Sequence, residues 1–264
     1  MSAIAFSRDG VSLFGDDVGS GSAVVFQHGL GGDGAQAAEV FPDGPFRRLT
    51  LECRAHGRSE PGDPRLFSIA TFANDVLAFA EARGIGRFVA GGISMGAAIA
   101  LRLAVKAKER VRALILVRPA WDWRGAPDNL RPVLNSAPFV ARGAREKYAA
   151  SPEARELQAT APDNLASLIA NFDRPDAGTR AALLAAIAVD GPSVSEEDVR
   201  RLRLPTLVIG TAGDVIHPLD LALRLAAAIP RARFIEVAPK LPDRARYVAE
   251  VKHAIADFLL KEPS

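Results

Sequence analysis

Short apolar runs alternate along the chain with longer stretches in which apolar residues recur every three or four positions. The runs at 23–27, 49–51, 88–91, 113–117, 206–210 and 234–237 read as strands, and their near-continuous apolar character suits strands buried on both faces. Between them, residues 71–83, 95–106, 219–228 and 245–260 carry the helical period. Such alternation implies an α/β chain whose mostly parallel sheet is covered by helices on both faces. Ahead of it, Asp9-Gly10 and the Gly/Ser cluster at 19–22 break up the first 27 residues, which predicts antiparallel strands opening the fold.

From Trp123 to Arg200 the alternation stops. This segment is rich in Ala, Pro and Asn, with several short amphipathic stretches and no strand pattern. It reads as a helical cap of residues 123–200 inserted into a core made of 1–122 and 201–264.

Composition narrows the class. With 48% hydrophobic and 24% charged residues, the 264-residue chain has the balance of a folded globular protein rather than a disordered one. Its 33 basic and 31 acidic residues are scattered, so no nucleic-acid-binding stripe is expected. No run approaches the ~18 apolar residues needed to span a bilayer, and no basic segment followed by a long apolar run marks a secretory signal. A cytoplasmic protein without membrane attachment is the expectation, in keeping with a single cysteine, Cys53. No clustered His/Cys/Asp/Glu set has ligand spacing, so neither a metal nor another cofactor is implied. Oligomeric state, homo-oligomer included, is left open.

The chemistry starts at Gly92-Ile93-Ser94-Met95-Gly96, a G-x-S-x-G turn between a strand and a small-residue helix start. A serine on such a turn takes strained backbone angles and projects its hydroxyl above the sheet, while flanking glycines let strand and helix approach. Phe26-Gln27-His28-Gly29-Leu30-Gly31-Gly32 follows the first long apolar strand with its amides unobstructed, and Leu30 and Met95 are the expected pair of oxyanion donors. Arg118-Pro119-Ala120-Trp121 ends another strand at the edge where open α/β sheets bind ligands. There Arg118 is placed to clamp a carboxylate or phosphate, with Trp121 and Trp123 as pocket walls and His28 as a further substrate contact; a salt-bridged strand-end arginine is the alternative. Cys53 has no histidine partner in sequence, which argues against a thiol nucleophile.

His28-Gly29, the serine turn and Glu52-Cys53-Arg54-Ala55-His56-Gly57-Arg58-Ser59 together resemble the α/β-hydrolase superfamily over about 20–120 and 200–260. The third segment is similar to that family's D-x-R-G-H-G-x-S loop, with Glu52 in place of Asp and Ala55 in place of Gly, and gives His56 a structural role. The resemblance implies a sheet of about eight strands, Ser94 as nucleophile, and an acid on the loop Leu207-Val208-Ile209-Gly210-Thr211-Ala212-Gly213-Asp214-Val215-Ile216-His217-Pro218, with Asp214 the matching carboxylate.

It also implies a basic histidine roughly 25–30 residues beyond Asp214, where this chain reads Val237-Ala238-Pro239-Lys240-Leu241-Pro242-Asp243. The four histidines are His28, His56, His217 and His253, the last within the apolar period of the C-terminal helix. His217, three residues after Asp214, is the first candidate for base, and Lys240, near the family's histidine position, is the second. The expected activity is hydrolysis of a small, potentially anionic carboxylic ester, thioester or lactone through a Ser94 acyl-enzyme. C–C bond hydrolysis or a lyase step on the same fold, and a decayed protein that only binds a small ligand, are the alternatives.

Overall fold

The computed structural model describes residues 4–261. Eight strands form one sheet: β1 (Ile4–Arg8), β2 (Val11–Gly19), β3 (Ser22–Gln27), β4 (Phe46–Glu52), β5 (Phe88–Ile93), β6 (Val111–Val117), β7 (Thr206–Thr211) and β8 (Ala232–Val237). Their order across it is β1-β2-β4-β3-β5-β6-β7-β8. β1 pairs with β2 and β2 with β4 in antiparallel fashion, and every later pairing is parallel. At the β1–β2 hairpin Asp9 and Gly10 both have positive φ, 51° and 76°, the backbone that matches the twist of a two-residue turn.

Side chains of the central strands alternate between two apolar layers. In β6, Ala113, Ile115 and Val117 face one layer, and Leu114 and Leu116 the other. The first layer is closed by α1 (Gly34–Val40) and by α11 (Arg244–Lys261), which contributes Tyr247, Val251, Ile255 and Phe258. The second is closed by α2 (Ile69–Ala82), α3 (Met95–Lys106) and α10 (Leu219–Ala228), with Phe72, Val76, Phe79 and Leu225 buried in it. Both faces are therefore dry, as a parallel sheet requires.

Between β6 and β7 the chain is helical: α4 (Arg131–Ala141), α5 (Arg145–Ala149), α6 (Pro152–Thr160), α7 (Pro162–Ile169), α8 (Ala177–Ala188) and α9 (Glu196–Arg200). Leu130, Val133, Leu183 and Leu184 from this segment join the second apolar layer. Because β3, β5, β6 and β7 run parallel, the loops that follow them gather at one edge of the sheet, beneath these helices.

Candidate active site

Ser94 joins β5 to α3 with φ 55° and ψ −112°, a strained conformation for a residue with a Cβ. Its amide donates to Val117 O at 2.9 Å, and its own carbonyl accepts from Ala97 and Ala98, so strand and helix both fix the turn. The flanking glycines are needed for contact. A Cβ on Gly96 would lie 2.3 Å from Gln27 O, and one on Gly92 2.5 Å from the Gly96 carbonyl carbon.

Above this turn stands His217. Its Nε2 is 2.8 Å from Ser94 Oγ, and its Nδ1 is 2.9 Å from Asp214 Oδ2 and 3.0 Å from Oδ1. With Nδ1–H donating to the carboxylate, Nε2 accepts from the serine hydroxyl. Burial, aided by the Arg118 cation, depresses the imidazole pKa below its usual value despite the Asp214 charge, which leaves the ring neutral at pH 7. Burial pushes the Asp214 carboxyl up, but His217 and Arg118 outweigh it and hold Asp214 far below the usual carboxylate range.

Three residues are a short span for a carboxylate and an imidazole in hydrogen-bond contact, and polar side chains from the β6–β7 segment shape the turn. Asn164 of α7 donates from Nδ2 to Asp214 Oδ1 at 2.8 Å, and its Oδ1 accepts from the amides of Val215 and Ile216 at 2.8 and 3.2 Å. Asn129 donates to Ile216 O at 2.7 Å and to Ala120 O at 3.0 Å. The His217 amide closes the turn on Asp214 Oδ1 at 2.9 Å. Neither asparagine was singled out in the sequence; each lies in a helical region whose place over the sheet has no local signature.

A cavity of about 490 Å³ opens in front of Ser94 and His217. Leu30, Ile93, Trp121, Leu130, Val133, Leu168, Leu184 and Ile216 make its walls largely apolar, while Asp33, Glu39, Arg174, Lys240 and Arg244 also border it. The 28–33 loop runs beside Ser94, a Cβ on Gly29 falling 3.3 Å from Ser94 Cβ. The loop is held by Gly29 N donating to Gln36 Oε1 at 2.7 Å and by Gly32 N donating to Gly29 O at 2.9 Å. Met95 opens α3, so its amide has no partner inside the helix.

Several residues named from the sequence stand elsewhere. His28 is fully buried; its Nδ1 donates to Gly29 O at 2.8 Å and its Nε2 accepts from Cys53 N at 3.0 Å, so both ring nitrogens brace the loop and the expected substrate contact is corrected to a structural one. Arg118 borders the cavity, but its guanidinium is spent on Asp214 and Asp163 and lies 5.6 Å from the Tyr247 ring centroid. It therefore clamps carboxylates of the protein itself, the salt-bridged alternative. Trp121 does wall the cavity, anchored by Nε1 donating to Asp190 O at 2.9 Å. His56 is buried against His28 and Phe72, with Nδ1 on Arg54 O. Cys53 is buried and its thiol pushed up by desolvation, which keeps it protonated. Lys240 forms an ion pair with Asp163 rather than reaching Ser94, and His253 is exposed on α11. Among the described residues no group of three or more His, Cys, Asp or Glu is arranged to hold a metal ion.

A family model described as alpha/beta hydrolase fold matches residues 22–240. The chain belongs to that family. It is 29% identical over 249 residues to a putative non-heme bromoperoxidase, BpoC, of Mycobacterium tuberculosis, with 86% of this chain and 89% of that protein covered. It is 27% identical over 237 residues to the pimeloyl-[acyl-carrier protein] methyl ester esterase of Nitrosomonas europaea, covering 85% and 90%. Among solved structures, a thermophilic esterase from Thermogutta terrifontis superposes with a TM-score of 0.77 at 22% identity over 99% of both chains, a likeness of fold. No helix among the described residues of this α/β hydrolase is long and apolar enough to cross a membrane.

Proposed function

We propose that this α/β hydrolase cleaves a small carboxylic ester, thioester or lactone through an acyl-enzyme on Ser94, with His217 as general base and Asp214 as its acid. The observation that carries the reading is the continuous hydrogen-bonded line from Ser94 Oγ through His217 to Asp214, at 2.8 and 2.9 Å. In the first step Oγ attacks the acyl carbon as its proton passes to Nε2, and the Leu30 and Met95 amides hold the oxyanion. Collapse expels the alcohol or thiol, which takes the proton back from His217. Water, giving its proton to Nε2, then attacks the Ser94 ester; Ser94 Oγ leaves as it takes that proton from Nε2, releasing the carboxylic acid and restoring neutral His217.

Apolar walls favour an uncharged acyl group in the cavity, beneath the 123–200 segment acting as a cap. The binding-only alternative rested on a missing base, and an imidazole within hydrogen-bond reach of Ser94 weighs against it. The test is Ser94→Ala against p-nitrophenyl butyrate and a fluorophosphonate probe. Loss of both turnover and labelling, with an unchanged circular dichroism spectrum, is expected; turnover that survives the substitution overturns the assignment.

A further inference from the structure

We propose that Arg118, Asp163 and Lys240 are positioning residues that hold Asp214 against His217 and neutralise its charge, so that the base of this site works inside an electrically balanced cluster. The proposal rests on the Ser94–His217–Asp214 reading above. Four elements meet here. Arg118 follows β6, Asp163 lies on α7, Lys240 on the β8–α11 loop and Asp214 on the β7–α10 loop.

Arg118 Nε donates to Asp214 Oδ2 at 2.9 Å, and its Nη2 donates to the same oxygen and to Asp163 Oδ2 at 3.0 Å. Asp163 Oδ1 accepts from Lys240 Nζ. The Arg118 side chain is 8% exposed and that of Asp214 3%, against 17% for Asp163 and 18% for Lys240, so the inner pair depends most on its partners for compensation. Such a buried set persists only when each charge is matched. Two carboxylates here face two cations; Arg244 of α11 also acts on Asp163 but is itself matched by Glu39, and the phenol of Tyr247 and the ring of His217 are neutral at pH 7.

Neutrality has a consequence for the base. A lone buried carboxylate favours an imidazolium beside it; a carboxylate already matched by Arg118 favours it less. Burial is the first cause of the His217 depression, and the Arg118 charge adds to it by offsetting the Asp214 carboxylate. Lys240, near the family's histidine position, is tied into the same cluster by its ion pair with Asp163. Removing one charge of either sign should move the base in opposite directions. Asp163→Asn leaves a net positive cluster and should lower the His217 pKa; Lys240→Met leaves a net negative one and should raise it.

His217 is titrated by NMR from its imidazole Cε1–H signal, assigned with His217→Gln, in an inactive Ser94→Ala background. Shifts of opposite sign, each about 0.5 pH unit or more, are expected. The acid limb of kcat/KM in the Ser94-containing variants should move the same way. Shifts of the same sign, or none from either substitution, overturn the proposal. Because the titration needs no turnover, its failure is separable from failure of the hydrolase reading, which the Ser94→Ala assay decides alone.

Discussion

His217 Nε2 lies 2.8 Å from Ser94 Oγ, although the ring belongs to the same turn as the carboxylate that orients it, three residues earlier. Asp214 and His217 share one loop after β7, and the loop after β8 carries Lys240, which pairs with Asp163. The arrangement works because the turn is held from outside by α7 and by the start of the helical segment.

Asn164→Ala should therefore damage chemistry as well as stability. It strips partners from the Val215 and Ile216 amides and from one Asp214 oxygen at a site where Asn164 is 2% exposed. A loss of about 2 kcal/mol in urea unfolding is expected for buried groups left unpaired. A fall in kcat of about 100-fold should accompany it, since the base loses its fixed orientation. A stability loss with unaltered kcat would show that the clamp does not position the base.

Gly96→Ala tests the turn around Ser94. Its Cβ would meet two backbone oxygens, Gln27 O at 2.3 Å and His28 O at 2.8 Å, neither of which can swing aside as a side chain does. Destabilisation of about 3 kcal/mol, or failure to fold, is expected from such overpacking. A variant with wild-type thermal stability would contradict the close approach.

Stability should fall as pH drops below 6.5. His28, His56 and His217 are all depressed below that value, first of all by burial, so they stay neutral in the folded chain while the same rings take up protons once unfolded. The unfolded state then binds more protons, and unfolding free energy falls by up to about 1.4 kcal/mol per pH unit for each histidine until its folded-state pKa is reached. Urea titrations at pH 7.5 and 5.5 check this; equal midpoints would contradict it.

Ala55 stands at φ 61°, the left-handed region that favours glycine, in the loop where the family pattern has Gly. Ala55→Gly should stabilise the protein by about 0.5–1 kcal/mol, relief of strain exceeding the entropy that glycine adds to the unfolded chain. A lower melting temperature would show that the Ala55 methyl contributes packing that outweighs its strain.

The strands and helices of the sheet domain were legible because their signal is local. Leu114 and Leu116 against Ile115 and Val117 are all apolar, which marks a strand buried twice. The Ser94 turn was legible for the same reason, its glycines being dictated by contacts within a few residues and one neighbouring strand. α1 was not read, since seven residues with Gly34 and three alanines carry little periodicity; its start is fixed by Asp33 accepting from Ala35 and Gln36. β4 begins at Phe46, three residues before its apolar run, because Arg47 and Arg48 hide the pattern while pairing with Asp17 and Thr50. For Arg118 the sequence left a ligand clamp and a salt-bridged arginine both open, because its partners Asp163 and Asp214 are 45 and 96 positions away; the packing of α7 over the sheet brings the first to it and the pairing of β6 with β7 the second.

His217→Ala is the most direct test of the central claim, that this imidazole activates Ser94. The account predicts that turnover of p-nitrophenyl butyrate falls about 1,000-fold or more and that fluorophosphonate labelling of Ser94 slows in parallel, with the fold retained. Turnover within a few-fold of the unaltered protein would contradict it and place the base elsewhere.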